Sequence, residues 1–218
     1  MWAAAEDRIP SREAFRAALE ARHGTDWQRR AAAAEVAVCG LGGLGSHIAG
    51  ALARAGVGKL RLIDFDRVDV TNLHRQQYKA CQVGLYKTVA LTENLREIAP
   101  YVEVETHTAR ITAENLEELL RGAPIVCEAF DSAEAKAMLT DGVLTRLPGA
   151  TLVAASGMAG LGSANGIRTR KITDRFYLCG DGVSGVGETD GLYVSRVMLC
   201  AAHQAHMVLR LIAGERDV

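Results

Sequence analysis

Three glycines, Gly40, Gly42 and Gly45, stand between a continuous apolar run and a segment of helical spacing. No other feature restricts the fold of this chain so tightly. "EVAVCG" suits a strand buried on both faces of a sheet. "SHIAGALARA", Ser46 to Ala55, reads as a helix rich in small residues. A G-x-G-x-x-G turn between strand and helix lets the chain reverse tightly and brings backbone N–H groups to a phosphate at the helix N-terminus. Asp64 closes "GKLRLIDFD", an alternating β-rich segment, 24 residues beyond Gly40. A carboxylate there is placed to accept hydrogen bonds from ribose hydroxyls. The pattern predicts a nucleotide-binding unit; the bland alternative is a merely tight βα turn.

The rest of the chain fits the same architecture. "SREAFRAALEARHG" has an N-cap serine and a terminal glycine, and "TDWQRRAAAAE" makes a second short helix. Beyond the second strand, helical patterns ("GLYKTVALTENLREIAP", "TAENLEELLRG", "SAEAKAMLTDGVLTRLPG") alternate with strand patterns ("YVEVETHTARI", "APIVCEAFD", "ATLVAASGMAG"). "NGIRTRKITDRFYLCGD" reads as one or two exposed antiparallel strands, and "GLYVSRVMLCAAHQAHMVLRLIAG" as a long helix. The expected fold is α/β: a Rossmann-like, parallel-rich sheet with a short antiparallel annex, N-terminal helices and a long C-terminal helix. Without repeats or linkers, residues 1–218 are expected to form one domain.

A net charge of -1 gives no reason to expect a nucleic-acid or membrane-surface partner. The apolar windows are too short and too glycine-broken to span a bilayer. "MWAAAEDRIPSREAF" carries acids where a signal peptide needs a basic region, so a cytosolic protein is expected. The five cysteines form no C-x-x-C pair, which argues for reduced, mostly buried thiols.

The residues beyond Asp64 separate ATP from NAD. Asp66, Asn72, Arg75 and Lys87 come within a short span, and a triphosphate carries more charge to neutralise than a pyrophosphate bridge. Arginine offers a planar fork and lysine a point charge. Each cation alone is as readily a solvated surface residue. Asp131, ending "IVCEAFD", should face the same crevice outside the carboxyl ends of the strands. It could hold Mg²⁺ beside the phosphates, cap the helix beginning "SAEAK", or do both.

"GLGGLGS", "GVGKLRLIDFD", "NLHRQ", "VGLYK" and Asp131 together resemble the ThiF/MoeB/HesA family, relatives of the ubiquitin-activating enzymes. The resemblance implies Mg·ATP binding and adenylylation of the C-terminal Gly-Gly carboxylate of a small ubiquitin-like sulfur carrier, with the thiamine-pathway carrier ThiS as the expected partner. It implies a nucleotide site built from Gly40, Gly42, Gly43, Gly45, Asp64, Asp66, Asn72, Arg75, Gln76, Lys87 and Asp131. Asp64 would hold the ribose, Asn72, Arg75 and Lys87 the phosphates, and Asp131 the metal. A homodimer is implied, with an arginine from the neighbouring subunit's N-terminal helix reaching the phosphates; Arg22 is the candidate, Arg12 and Arg16 its rivals. The carboxylate nucleophile is already ionised near neutrality, so no catalytic base is needed. A molybdopterin-type carrier, an NAD-dependent oxidoreductase and a non-catalytic nucleotide binder are the competing expectations.

The chain departs from the family pattern in lacking the paired C-x-x-C motifs of many members, so no zinc is expected. Cys200, His203 and His206 lie on one helix but drift around it. Cys179, in "FYLCGDG", is the most loop-like thiol, reactive if a cation such as Arg175 lowers its pKa and otherwise simply packed. The glycine-rich "CGDGVSGVGETDGL" reads as a mobile segment, either a seat for a carrier tail or a surface turn.

Overall fold

The computed structural model describes residues 9–187 and 191–218. The expectations about the first residues and about positions 188–190 of the "CGDGVSGVGETDGL" segment fall outside those residues. α1 (Arg12–His23) is capped by the Ser11 hydroxyl and closed by Gly24, and α2 (Thr25–Ala33) comes next. β1 (Glu35–Cys39), α3 (Gly43–Arg54) and β2 (Lys59–Ile63) form the first βαβ unit. α3 begins three residues earlier than its apolar spacing predicts, because Gly43 and Leu44 already form its first turn. α4 (Lys87–Ile98), β3 (Glu103–His107), α5 (Leu116–Leu120), β4 (Ile125–Glu128), α6 (Ala133–Arg146) and β5 (Thr151–Ala155) continue the alternation. β6 (Arg168–Thr173), β7 (Phe176–Gly180) and α7 (Val194–Ala213) complete it.

One sheet runs β3-β2-β1-β4-β5-β7-β6, parallel except for the β6–β7 pair. The antiparallel annex is therefore present, with a correction: β7 is not an exposed strand. It pairs in parallel with β5, and Tyr177 and Cys179 are fully buried beneath α7, so only β6 carries the solvated pattern. The chain order reverses direction between β1 and β4, the position at which an open α/β sheet leaves a crevice.

Strand alternation divides the core. Val36 and Val38 of β1, with Leu60 and Leu62 of β2, face α3, α4 and α7. Ala37, Cys39 and Val126 face α5 and α6. α7 lays Val197, Ala201, Met207, Val208 and Leu211 on the first layer, along α3. Among the described residues no helix is long and apolar enough to cross a membrane.

On the α5 side of β1, β2 and β3, the sheet is tied by charge. Arg61 sits 2.7 Å from Glu35 and 3.1 Å from Glu105 and donates to the Leu119 and Arg121 carbonyls. Lys59 and His107 also reach Glu105, each at 2.8 Å. Hydrogen bonds from Lys59 and His107 hold the Glu105 carboxyl well down, to about 2. A depressed carboxylate contributes stability that is complete above its unfolded pKa and disappears as pH falls through the folded value. Thermal midpoints of wild type and Glu105→Gln should thus differ above pH about 4.5 and converge as pH approaches about 2. Parallel curves over that range would show that Glu105 carries no such linkage.

Candidate active site

At the end of β1 the chain turns at Gly40 with φ +90, a left-handed conformation natural to glycine. A Cβ there would also stand 2.8 Å from the Ala129 carbonyl oxygen. One at Gly45 would sit 1.8 Å from the Gly40 carbonyl oxygen, so α3 approaches β1 as closely as backbones allow. Gly45 serves that contact and is not among the residues that line the cavity. Gly40, Gly42 and Gly43 do line the cavity. No side chain caps α3, so its amino end, with unpaired N–H groups and the positive pole of its dipole, opens on this space.

The cavity, about 430 Å³, spans the carboxyl ends of β1, β2, β4 and β5. Such a volume suits a small-molecule ligand. Asp64 is buried in its wall: Oδ2 accepts the Leu41 N–H at 2.6 Å and Oδ1 the Asp66 N–H at 2.7 Å. Burial raises its pKa, while Lys87 and the two N–H groups oppose the shift. Each oxygen keeps lone-pair capacity for a further donor. Tyr78 donates to the Leu41 carbonyl at 2.7 Å, so the Leu41 peptide is held at both ends.

Lys87, at the first position of α4, is buried with Nζ 2.9 Å from Asp66 and 3.9 Å from Asp64. Arg75 donates to the Asn72 side-chain oxygen at 3.0 Å. Burial lowers the Arg75 pKa from its ordinary value, and Asp131 opposes this from across the cavity. Gln76 is buried on the wall with Oε1 unpartnered. An orphaned buried amide is costly in an empty site and satisfied when a ligand supplies donors.

Asp131 lines the cavity but does not end β4. The strand stops at Glu128, whose carboxylate turns inward to accept the Phe130 N–H at 2.7 Å, and Asp131 lies in the loop after it. Nor does Asp131 cap α6; the Ser132 hydroxyl does, accepting from the Ala135 N–H. Asp131 makes no hydrogen bond or ion pair among the described residues. Its exposed carboxylate fits a hard cation shared with phosphate oxygens.

Two expected residues lie elsewhere. Cys179 sits in β7 rather than in a loop, is fully buried, and burial pushes its thiol up to about 11. Arg175 points away, donating to the carbonyls of Leu144, Leu147 and Ala150. The exposed thiol is Cys81. Arg22 is exposed on α1, away from the cavity wall of its own chain; Arg16 pairs with Glu20, and Arg12 lies over the Tyr101 ring. On α7, Cys200 is buried and His206 exposed, so those two do not converge.

The structure adds wall residues that spacing did not single out. Arg110 stacks 3.8 Å over the Phe65 ring at the β2–β3 side, and no sequence signal marks it. Ser156, Gly157, Met158 and Ala159 close the β5 side. Lys136 also reaches the wall, but its ammonium meets Glu128 Oε1 and Oε2 at 3.0 and 3.1 Å and the Ala155 carbonyl at 3.1 Å. A glutamate inside an apolar run, with a lysine eight residues on, was the available signal for this pair.

Residues 15–218 match the ThiF family, and the chain belongs to that family. It is 39% identical over 127 residues to the adenylyltransferase and sulfurtransferase MOCS3 of Anopheles gambiae, covering 57% of this chain and 29% of that protein. It is 38% identical over 119 residues to the sulfur carrier protein adenylyltransferase of Thermus thermophilus, covering 54% and 44%. The matches thus span less than half the length of these relatives. Among solved structures, the ATP complex of the E. coli tRNA N6-threonylcarbamoyladenosine dehydratase TcdA superposes with a TM-score of 0.83 at 24% identity, covering 94% of this chain and 97% of that one. E. coli MccB with AMPCPP and MccA gives 0.70 at 20%, covering 91% and 65%. These likenesses concern the fold.

Glu128 is 1% exposed, and removing its partner would leave a buried charge uncompensated. Lys136→Met should cost about 3–5 kcal/mol of unfolding free energy, and Glu128→Gln in the same chain should restore most of it. Urea denaturation checks both; a single variant as stable as wild type would show that the pair is not a buried ion pair in solution.

Proposed function

We propose that this chain is an ATP-dependent adenylyltransferase that activates the C-terminal glycine carboxylate of a small ubiquitin-like sulfur carrier of the ThiS type, acting as a cytosolic homodimer. The observation that carries the proposal is the convergence of Arg75, Lys87 and an unpaired Asp131 on the cavity into which the amino end of α3 opens. A dinucleotide bridge needs less positive charge than this, and the carrier-activating relative supports the substrate class.

On this reading Asp64 accepts from the ribose, fixing the nucleotide at the β2 side. The α3 amino end, Arg75 and Lys87 neutralise the triphosphate, so that a second anion, the carrier carboxylate, can approach. One carboxylate oxygen bonds to the α-phosphorus as the bond to the β-phosphate oxygen breaks. The electron pair of that bond leaves with pyrophosphate, and the carrier is held as an acyl-adenylate. No proton need be removed, so neutralisation and alignment do the chemical work. Mg²⁺, held by Asp131 and phosphate oxygens, would supply further charge neutralisation for the departing pyrophosphate. The cations near the cavity divide by whether their donors are already committed. Lys136 meets three acceptors with its three protons, which leaves Arg75, Lys87 and Arg110 with donors to offer the phosphates.

The test is carrier-dependent exchange of labelled pyrophosphate into ATP, run with ThiS and with a molybdopterin-type carrier in parallel. Exchange with ThiS and loss on chelation of Mg²⁺ are expected. Exchange with the molybdopterin-type carrier alone would reassign the substrate, and silence with both, despite ATP binding by folded protein, would overturn the ThiS-type assignment and move the chain to another carrier or a non-catalytic role. Asp131→Ala should reduce exchange at least about a hundredfold, in line with loss of a charge-stabilising group. Arg22→Ala should be inactive alone yet regain activity when mixed with Asp131→Ala, because a mixed dimer assembles one intact site. If mixing restores nothing, Arg22 does not act across subunits.

A further inference from the structure

The loop that presents Arg75 and Gln76 is fastened to the outside of α3, one turn along from the glycine turn. Ser46 Oγ donates to the Gly42 carbonyl at 2.7 Å and accepts the Gln77 N–H at 3.2 Å. His47, the next residue, is half-buried and absent from the cavity wall. Its Nε2 lies 3.2 Å from the Arg75 carbonyl oxygen, and its Nδ1 lies 2.8 Å from Gln77 Nε2. A carbonyl only accepts, so Nε2 carries the proton and Nδ1 is left to accept from the Gln77 amide. The imidazole is neutral in this arrangement, and burial keeps its pKa below the ordinary value.

These bonds hold the chain on either side of Gln76. Arg75 is gripped at its carbonyl, Gln77 at its N–H and side chain, and the Gln77 carbonyl accepts from Asn94 of α4 at 2.8 Å. Gln76, between them, is buried on the cavity wall with its unpartnered oxygen. The ribose side of the site is held separately, by Asp64 with Leu41 and Asp66.

We infer that His47 is a positioning residue, setting Arg75 and Gln76 against the β- and γ-phosphates of the bound nucleotide through the Arg75 carbonyl and the Gln77 side chain. The inference rests on the nucleotide reading proposed above. It requires a contrast between ligands. Losing the grip should weaken ATP, whose outer phosphates meet Arg75, and spare AMP, which lacks them. General loosening of the fold would weaken both.

The experiment is calorimetric titration of ATP and of AMP into wild type, His47→Leu, His47→Gln and Gln77→Ala, with thermal midpoints recorded alongside. Leucine is a good helix former and leaves the Arg75 carbonyl without its donor. His47→Leu should weaken ATP about tenfold, the scale of one lost hydrogen bond, and change AMP less than about twofold. Glutamine keeps a donor amide, so His47→Gln should recover ATP binding to within about threefold of wild type. Gln77→Ala, at an exposed side chain, should give a smaller loss confined to ATP and serves should the leucine variant fold poorly. Equal loss of ATP and AMP, ATP binding by His47→Leu at the wild-type level, or no recovery in His47→Gln would overturn the inference. The expected contrast between wild type and His47→Leu, with no exchange by wild type in the presence of either carrier, would overturn the ThiS-type assignment and leave the role of His47 standing.

Discussion

The carboxylate of Asp64 is the tie on which the site depends. Its two oxygens accept main-chain N–H groups from Leu41, in the turn after β1, and from Asp66, in the segment after β2. Two strand exits that would otherwise be independent loops are thereby fixed to one another. The Leu41 peptide passes the constraint on, since its carbonyl receives the Tyr78 hydroxyl from the far end of the Arg75 loop. A group so used is costly to bury as a charge, and burial does raise its pKa. Lys87 opposes that cost, and because Lys87 is held by Asp66, this cavity-lining cation is placed by the same segment that Asp64 orders.

A second polar network does the equivalent work across the sheet. Glu128 joins the exit of β4 to that of β5 by accepting the Phe130 and Ala155 N–H groups, with Lys136 compensating its charge. Gln204 of α7 donates to the Glu128 and Val153 carbonyls beneath it. Both networks join neighbouring strands at their carboxyl ends, one on each side of the point where the chain order reverses. The crevice between them is a consequence of topology, whereas its rigidity comes from these buried side chains.

Much of this was legible in the chain, for identifiable reasons. The fold comes from periodicity: uninterrupted apolar runs mark the central parallel strands, and Ser11 with Gly24 marks both ends of the first helix. Most of the site was legible because it is local in sequence, with Gly40 to Gly43, Asp64 to Gln76 and Lys87 on two consecutive βα units. The features that escaped are those that only long-range packing decides. "FYLCGDG" has the composition of a loop, yet pairing with β5 draws it into the sheet and buries Cys179. Asp131 looked like a strand end because the apolar run continues to it, but the ladder stops where Glu128 folds inward. Gly45 fits the fingerprint, and the reason a glycine is required there, a close approach to the Gly40 carbonyl, shows only in three dimensions.

His47 shows why a local motif understates its own site. It lies two residues past the last glycine of the fingerprint, in a stretch whose spacing says only helix. Its two nitrogens become informative once residues 75 to 77 are known to lie against that helix, 28 and 30 positions later in the chain. The helix whose amino end opens on the cavity also carries, on its flank, the side chains that hold the arginine loop in register. The amino end of α3 and the Arg75 loop are therefore tied together by direct hydrogen bonds, so their separation does not depend on a free loop. If the cavity takes a nucleotide as proposed, that fixed separation decides how well the neutralising charge is placed, and Ser46 and His47, both off the cavity wall, would set it.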